Sequence, residues 1–519
     1  MNLYQAACLF LTASVLLSPA SAAETTSAAL WQEFQKTPYT HPNIPNVSFA
    51  GYRFGELPLP APKVVANVRD AGAKADGKTD DTKAFADAIA RAKAAGGGAI
   101  LVPAGTYRIN GRIVLDSPNL VLRGEGAGKS ILAFQNALNR VVGGDARRWS
   151  WSGGLIWIEP AQDAPAASFP AASIRKPAKM GDFVVEIDPA AAAQLKPGQP
   201  LQISWTGDLS LCMHIAGHES MRAYDWNRWS AFKNGTLTWK WPNEIVRVDG
   251  GKVTLKKPLR LDVQDGWKVQ LEPLPPYVTE VGVEGLTLQM PKHPQPAHLK
   301  DPGYNGVWLR RAIHCWVRDL TIENCDNGII VDGSSNCTMT GWRLVGGGHH
   351  HGTMCRGGSH DNLLQNFTIE SKPRHGLNTE GTSSGNVWRK GTMRHGTFDS
   401  HCMMSFDSVR TDIEIFNDGS PGGADDHGPF VGRRIAHWNI RITNGKGEWI
   451  AQPAILPMGT IAGIQGAPLE KKATRLWHLP DGYDKGAAIA EIGKAPIFPD
   501  LYEAQVKLRL KLDKIPADR

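Results

Sequence analysis

The sequence has no long apolar segment that could cross a membrane. No segment of the 519 residues approaches the roughly 18 consecutive apolar residues of a spanning helix. Near the start, the apolar stretch from Leu9 to Leu17 precedes Ala20-Ser21-Ala22, a pattern typical of a secretory signal peptide over residues 1–22, although no Lys or Arg comes before it. We therefore expect an exported protein, periplasmic or secreted, without a membrane span.

The sequence is also poor in cysteine and has no basic low-complexity tail. Six cysteines follow the predicted signal peptide, and none forms a CxxC pair, which disfavours a zinc site built from cysteines. A formal net charge of +7 indicates an anionic partner, but export and the lack of a basic tail disfavour nucleic acid. The sequence leaves open whether Cys315 and Cys337 form a disulfide or remain buried thiols.

What the sequence does contain is a repeat of short segments with an apolar, polar, apolar pattern. Such a period, between 20 and 30 residues, predicts a β-solenoid whose coils stack about 4.8 Å apart. A second series of residues lies seven positions before the ends of four of these segments and predicts a ladder of side chains stacked inside the solenoid. Its members are Cys315, Cys337, Asn362 and Asn386. The last residues of the segments are Ile322, Leu344, Ile369, Met393, Ile415 and Ile442.

Four histidines follow the same period. His351, His375, His401 and His427 are separated by 24, 26 and 26 residues, and each opens a similar short phrase. If one repeat is one coil, their side chains form a column on one solvent-facing side of the solenoid. The run His349-His350-His351 does not predict a ligand site by itself, because neighbours in an extended chain point to opposite sides.

An amphipathic helix precedes the first strands. Asp80 or Asp81 can cap it, its apolar stripe includes Phe85 and Ile89, and Gly96-Gly97-Gly98 ends it. The phrase DGKTDDTKAFADAI, followed by GGG and VPAGTY, resembles the N-terminal segment of the pectate-lyase-like superfamily. The resemblance implies an all-β fold, a right-handed parallel β-helix with an N-terminal capping helix. It implies little about chemistry, since that superfamily contains lyases, hydrolases, epimerases and phage tailspikes.

Changes in composition divide the chain into segments. An irregular lead-in spans 23–60, the cap and first coils 61–140, the main coils 279–465, and a C-terminal cap or tail 466–519. Residues 141–278 interrupt the repeat and predict a β-rich, tryptophan-rich insertion. Its loop with Trp226 and Trp229 either overhangs a substrate groove or belongs to the core of the insertion. The segment from Leu501 to Leu510 is predicted to be a helix that closes the C-terminal end.

Ionisable residues are most concentrated between 349 and 434, which predicts the active site there. Lyase chemistry on a uronate polymer needs cationic groups for the carboxylate, a base for the C5 proton and an acid for the leaving oxygen. His375 or His401 is the predicted base, with Lys372, Arg394 and Glu380 as further catalytic candidates. The predicted substrate-binding residues are His351, Arg356, Arg374, Arg389, His395, Asp399, His427, Trp226 and Trp229.

Several alternatives to a lyase remain open. Paired carboxylates among Glu380, Asp399, Asp407, Asp425 and Asp426 would suit a glycoside hydrolase. The histidines could instead form a structural polar ladder, and the solenoid could bind a polysaccharide without cleaving it. No cofactor is firmly predicted, but a divalent metal, calcium or zinc, is compatible with Asp425, Asp426 and His427. The expected partner is an anionic polysaccharide or oligosaccharide.

Overall fold

The computed structural model describes residues 25–165, 168–217, 219–232, 234–423, 427–470 and 486–513. The predicted signal peptide and the metal candidates Asp425 and Asp426 lie outside these residues. Among the helices in the described ranges, none is both long and apolar enough to cross a membrane.

Two large parallel sheets build the main body of the molecule. They confirm the predicted right-handed parallel β-helix, in which strands from successive coils pair in sequence order. Sheet A has 15 strands: Val64–Asn67, Asp76–Asp80, Gly98–Val102, Gly105–Ile109, Leu120–Gly124, Ser130–Phe134, Gly282–Gln289, Trp316–Glu323, Thr338–Val345, Leu363–Ile369, Val387–Met393, Val409–Ile415, Ala436–Ile442, Thr460–Gln465 and Ala488–Ala490. Sheet B has seven: Ile113–Leu115, Ile156–Ile158, Val307–Arg310, Asn327–Asp332, His351–Arg356, Gly376–Thr379 and Thr397–Ser400. A small third pair joins Val278–Thr279 to Ala312–Ile313.

Each long strand of sheet A bends at one residue in the left-handed conformation. The strand Gly282–Gln289 shows this: its first half pairs with Leu120–Gly124 and its second half, after the bend, pairs with Ser130–Phe134. Sheet A therefore forms two faces of each coil. Asparagine, aspartate and glycine tolerate this conformation best, and they fill all but one of these positions. The bend residues, with φ between 51° and 71°, are Gly285, Asp319, Gly341, Asn366, Lys390, Asp412, Asn439 and Gly463.

The strand register confirms the predicted stacking of the repeat. Ile322 pairs with Leu344, and Leu344 with Ile369, as the spacing requires. In the internal ladder, Asn362 accepts a hydrogen bond from the Cys337 backbone at 3.0 Å and donates one to Asn386 at 3.0 Å. All six described cysteines are buried free thiols, so of the two alternatives for Cys315 and Cys337 the structure shows the unbridged one.

The predicted N-terminal helix is confirmed as Thr82–Ala94. Asp80 accepts a hydrogen bond from the Thr82 backbone at 3.1 Å, whereas the Asp81 carboxylate binds the backbone of Lys74 and Ala75. Phe85, Ala88, Ile89 and Ala92 are buried in the core of the first coils. The helix thus covers apolar surface that the first coil would otherwise expose.

The segment that separates the early coils from the main coils in the sequence forms a separate antiparallel sheet beside the solenoid. Its core contains Trp205, Trp239 and Trp241. It contacts the solenoid through Lys257 and Arg260, each 2.6 Å from the buried carboxylate of Asp361. The six strands are Ala172–Ser173, Val184–Glu186, Pro200–Gly207, Leu237–Asp249, Lys252–Leu255 and Lys268–Glu272. The helical segments in this part of the chain are Pro189–Ala192, Leu209–Ala216, Glu219–Ala223 and Trp226–Arg228, whereas the short helices Leu138–Val141 and Ala146–Trp149 pack on the solenoid core.

The two ends of the described chain meet along the outer side of sheet A. Helix Ser27–Lys36, the 3-10 turn Tyr52–Gly55 and helix Leu501–Leu512 are the regular elements at these ends, and a further 3-10 turn spans Pro453–Ile455. The Val47 backbone donates a hydrogen bond to the Gln505 side chain at 2.8 Å. The C-terminal helix therefore lies across the side of the solenoid and not over its end, where it was predicted. It packs there because the outer face of sheet A is apolar. The apolar residues of this face are Leu363, Val387, Val409, Ala436, Trp438, Ala462 and Ala490.

Candidate active site

Five imidazoles form one cluster beside the start of the sheet B strands. Pairs of rings within it have centroids 4.3 to 5.7 Å apart. Four of the rings are buried and the fifth, His298, is exposed to solvent. The members of this imidazole cluster are His298, His350, His351, His375 and His401.

Stacked strands position two of the cluster histidines as the sequence predicts. His351 begins a strand and His375 directly precedes the next strand of sheet B, 24 residues later. Their rings stack with centroids 4.9 Å apart and planes 26° from parallel. The His375 backbone donates a hydrogen bond to the His350 carbonyl at 3.0 Å, which fixes the two coils relative to each other.

His401 reaches the cluster by another route, so the predicted column of four histidines is wrong. Gly376 pairs with Thr397, a coil of only 21 residues, and His401 therefore lies five positions beyond the level of His375. The chain turns sharply here: Cys402, Met403 and Met404 all have positive φ, between 57° and 63°. This turn brings the His401 ring within 5.0 Å of both His351 and His375. The cluster is thus a triangle of rings at this point and not a ladder.

The left-handed backbone conformation of three consecutive residues, Cys402, Met403 and Met404, costs conformational free energy because none of them is glycine. Each one costs about 1 kcal/mol or more relative to ordinary backbone conformations, and such strain concentrates at functional sites. The backbone of His401 is held on one side by Asn378, whose side-chain oxygen accepts its N–H at 3.1 Å. On the other side, the His427 carbonyl accepts the Met403 N–H at 2.8 Å.

Hydrogen bonds fix the protonation of the buried rings. Nδ1 of His375 lies 2.6 Å from the Ser420 carbonyl oxygen, and a carbonyl can only accept, so Nδ1 carries the hydrogen. Nδ1 of His350 lies 2.8 Å from the Asp301 carboxylate. Nδ1 of His401 is hydrogen-bonded to the side-chain oxygen of Asn378 at 3.4 Å and lies 3.1 Å from the Asp399 carboxylate, and both of these oxygens can only accept. In the neutral rings the lone pair is therefore on Nε2.

These lone pairs have no partner in the described part of the chain. Nε2 of His350, of His351 and of His375 is buried and makes no hydrogen bond to any described residue. Burial, together with the neighbouring histidines, places the pKa of His351 well below its ordinary value. Burial is also the main reason that the pKa of His375 falls to about 4. His351 and His375 are therefore neutral at physiological pH and present bare lone pairs.

Asp399 is the buried anion of the cluster. Burial alone would raise its pKa, but the neighbouring His401 and His375 outweigh that effect and hold the pKa below its ordinary value. Its second oxygen accepts a hydrogen bond from the Gly422 backbone. Asp399 is consequently an ionised carboxylate that orients the His401 ring.

Trp151 covers the outer side of the cluster. Its half-buried ring meets His401 edge to face at 4.4 Å, and the Arg356 guanidinium lies 5.8 Å from its ring centre. Arg356 also donates to the Trp151 carbonyl and to Glu380, both at 2.7 Å. The structure thus places the predicted residue Arg356 against Trp151, which contacts His401, and pairs Arg356 with the predicted residue Glu380.

A second covering segment spans residues 418–423. Ser420 and Gly422 contact the cluster, and a side chain at Gly422 would collide with the His401 ring. At its start, Asp418 binds Lys372 and His395, each at 3.0 Å. These two predicted residues therefore border the cluster without joining it.

The other predicted arginines lie at the edge of the cluster or away from it. Arg374 binds the Pro296 carbonyl at 2.9 Å, next to His298, whereas Arg394 is exposed. Arg389 is not at the cluster: it belongs to sheet A, where it binds Asp500 and Glu503 of the C-terminal segment.

The predicted groove tryptophans are wrong as substrate contacts. Trp226 and Trp229 are 4% and 1% exposed and belong to the core of the insertion. Their indole rings fill apolar space there, so they have no face free for a sugar. Of the predicted metal candidates, only His427 lies in the described residues, and its side chain is half-buried.

Three of the site residues have no signal in the sequence that points to them. His298, Asp301 and Trp151 come from loops outside the repeat, where no period applies. Alternation along an extended chain predicts that His350 and His351 point to opposite sides, but His350 precedes the strand that begins at His351, and the two rings stack with centroids 4.3 Å apart. The HHH run was the available signal for His350.

Known proteins resemble this chain in two respects: the sequence of its N-terminal part and its fold. A family model described as rhamnogalacturonase A/epimerase, pectate lyase-like, matches residues 65–161. Alginate lyase 7 and mannuronan C5-epimerase AlgE3, both of Azotobacter vinelandii, are each 38% identical over 88 residues. That match covers 16% of this chain but only 10% and 5% of the two relatives.

Among solved structures, the tailspike protein gp49 of Pseudomonas phage LKA1 aligns over 78% of this chain and 63% of that chain. The TM-score is 0.51 and the sequence identity 15%, which is a likeness of fold. Together with the coils, the capping helix and the DGKTDDTKA phrase, these findings fit the pectate-lyase-like superfamily of parallel β-helix proteins.

Proposed function

We propose that this chain is an exported carbohydrate-active enzyme that cleaves an anionic, uronate-containing polysaccharide by β-elimination at the imidazole cluster. The observation that carries the proposal is the pairing of His401 with the buried carboxylate of Asp399, beside a half-buried tryptophan and an arginine. The names of the two curated relatives, an alginate lyase and a mannuronan epimerase, support a uronate substrate.

His401 is the proposed base. Its Nδ1 faces Asp399, so Nε2 is the nitrogen that would take the C5 proton of a uronate, and the carboxylate would stabilise the imidazolium that forms. The electrons of the C5–H bond then form the C4–C5 double bond as the C4–O bond breaks. The leaving oxygen takes a proton from an acid or from water. The products are a new chain end and an unsaturated uronate.

Trp151 and Arg356 are the proposed substrate contacts. The Trp151 ring is half-buried and next to His401, a position that suits stacking against a sugar ring. Arg356 already donates from Nε to Glu380 and from one Nη to the Trp151 carbonyl, so its second Nη is the group left to donate to a substrate carboxylate. Arg374 and Lys372 add positive charge on the other side of the cluster, and together these groups would favour an anionic polymer.

Hydrolysis is less well supported, because two of the candidate carboxylates already have cationic partners and a third, Asp399, is buried behind His401. Asp407 is buried and binds Arg434 and Arg260, so it is held in a structural network. Glu380 binds Arg356 at 2.7 Å. A hydrolase needs one carboxylic acid protonated and one carboxylate accessible on opposite sides of the bond.

Epimerisation is a second candidate, favoured by the likeness to mannuronan C5-epimerases. It begins with the same removal of the C5 proton. It differs in the next step, in which a proton returns to the opposite face of C5 and no bond to the polymer breaks. His401 would serve either reaction as base.

One experiment separates these possibilities. The purified protein is incubated with alginate and with other uronate polymers, and we expect ultraviolet absorbance from unsaturated uronate ends. New reducing ends without that absorbance would indicate hydrolysis, and altered uronate composition without cleavage, measured by NMR, would indicate epimerisation. Either result would contradict β-elimination. Retention on immobilised polymer with no product of any kind would indicate a binding protein and contradict enzymatic function.

A further inference from the structure

Three imidazoles at the solvent side of the cluster have the spacing of metal ligands. One ring nitrogen each of His298, His350 and His375 lies within 4.8 Å of the other two. Their ring centroids are 5.2, 5.7 and 5.1 Å apart. Imidazoles that share a tetrahedral zinc ion at a Zn–N distance of about 2.0 to 2.1 Å have centroids about 5 Å apart.

The hydrogen bonds behind two of these rings are those of metal ligands. Nδ1 of His350 donates to the Asp301 carboxylate and Nδ1 of His375 to the Ser420 carbonyl. Metal-binding histidines nearly always direct their second ring nitrogen at a carboxylate or carbonyl, which fixes the ring and makes the other nitrogen a better ligand. The remaining Nε2 atoms of His350 and His375 are buried without a hydrogen-bond partner in the described residues.

The ring nitrogens are also available to a cation at neutral pH. Buried lone pairs that face one another repel, and a positive ion between them removes that repulsion. Burial and the neighbouring His350 and Arg374 lower the pKa of His298, and burial lowers that of His375. Protons therefore compete weakly for these two rings at neutral pH, as metal binding requires.

From this geometry we propose that His298, His350 and His375 bind one divalent transition-metal ion, with zinc the best match to three imidazoles. A second set, His351, His375 and His401, has similar spacing but is entirely buried. The first set includes the exposed His298, which gives an ion a path from solvent. It also leaves His401 free to act as a base.

Three protein ligands leave one position of a tetrahedral ion open for another oxygen. If the proposed function holds, that oxygen belongs to the substrate carboxylate, whose charge the ion would neutralise. This step rests on the proposed function, whereas the binding of the ion does not.

The test measures binding without substrate. The full chain is stripped of metal with a chelator and titrated with zinc alone by calorimetry, with metal content checked by mass spectrometry. We expect one zinc per chain, and cobalt(II) in its place should show the visible bands of a tetrahedral site. His298→Ala, at an exposed position that should not affect folding, is expected to weaken zinc binding at least tenfold. Asp301→Asn is expected to weaken it about 10- to 100-fold.

Two control variants complete the test. His395→Ala removes a partly exposed imidazole that binds Asp418 outside the cluster, and it should bind zinc like the unmodified chain. His401→Ala should also retain zinc. No zinc at one per chain, or equal affinity in His298→Ala, would overturn the inference, as would loss of zinc in His401→Ala with retention in His298→Ala. A chain that binds zinc as expected but acts on no polymer would keep this inference and lose the proposed function.

Discussion

The Asp399 carboxylate lies 3.1 Å from Nδ1 of His401, and both side chains are almost fully buried. Asp399 comes from a strand of sheet B, whereas His401 follows that strand at the start of a strained turn. A buried carboxylate behind an imidazole fixes the tautomer and stabilises the protonated ring. The strained turn thus holds a polar pair whose arrangement packing alone does not require.

If His401 is the base, its removal should nearly abolish turnover. General-base catalysis contributes about 10²- to 10⁴-fold, so kcat of His401→Ala should fall by a factor in that range. Asp399→Asn should also lower kcat, because its amide group can donate to Nδ1 and place the hydrogen on Nε2. Initial rates on the cleaved polymer measure both effects. His395→Ala is the matched control, and near-normal turnover in His401→Ala would rule out this base.

If Trp151 stacks on a sugar, its loss should affect substrate binding more than chemistry. We expect Trp151→Ala to raise KM about tenfold, which corresponds to about 1.4 kcal/mol. Trp151→Phe keeps an aromatic face and should recover most of the affinity. The pair is measured by steady-state kinetics at several polymer concentrations. A fall in kcat with unchanged KM in both variants would instead indicate that Trp151 only orders the His401 ring.

The low pKa of the buried histidines predicts loss of stability in acid. The pKa of His375 is about 4 in the folded protein against 6.5 ordinarily, so between these values the unfolded chain binds more protons. Stability is therefore present above about pH 6.5 and is lost as the pH falls towards 4, by about 3 kcal/mol for this residue. Unfolding temperatures measured from pH 7 to 4 should fall accordingly.

A variant at a second histidine tests whether the buried histidines cause the loss of stability in acid. The pKa of His349 is lowered to about 3, mainly by burial, so it contributes in the same direction. His349→Asn removes one titrating group, and its unfolding temperature should depend less steeply on pH than that of the unmodified chain. If the unfolding temperatures of the two chains depend equally on pH, His349 does not contribute to the acid sensitivity.

The contact between insertion and solenoid depends on a buried anion. Asp361 binds Lys257 and Arg260, and all three side chains are buried. Asp361→Asn leaves the buried Lys257 without its counter-charge and leaves Arg260 with only Asp407, which we expect to destabilise the protein by about 3 to 5 kcal/mol. The control is Asp87→Asn, which breaks an exposed pair with Lys83 and should cost about 0.5 kcal/mol or less. Thermal unfolding compares the two variants, and equal small effects would contradict the role of Asp361.

The fold was predictable because its information is local and repeated. Each coil carries its own apolar pattern, and the spacing of Ile322, Leu344 and Ile369 sets which residues pair. The same spacing predicted that His351 and His375 stack. Those inferences required only that equivalent residues occupy equivalent places in each coil.

The rest of the site depends on contacts that no period encodes. His401 departs from the period because its coil is short, and the turn after it compensates. His298 and Trp151 reach the cluster on loops whose paths are set by packing against the coils. Trp226 and Trp229 were ambiguous because aromatic residues suit both a sugar-binding surface and an apolar core.

The meeting of the two chain ends along sheet A has a consequence for how the molecule comes apart. Coils of a solenoid contact only their neighbours, so a bare stack can lose its terminal coils one after another. Here the segments around Val47 and Gln505 hold each other across six successive strands. The last six strands of sheet A are therefore held together by both chain ends, and removal of the N-terminal segment should loosen strands hundreds of residues away in the chain.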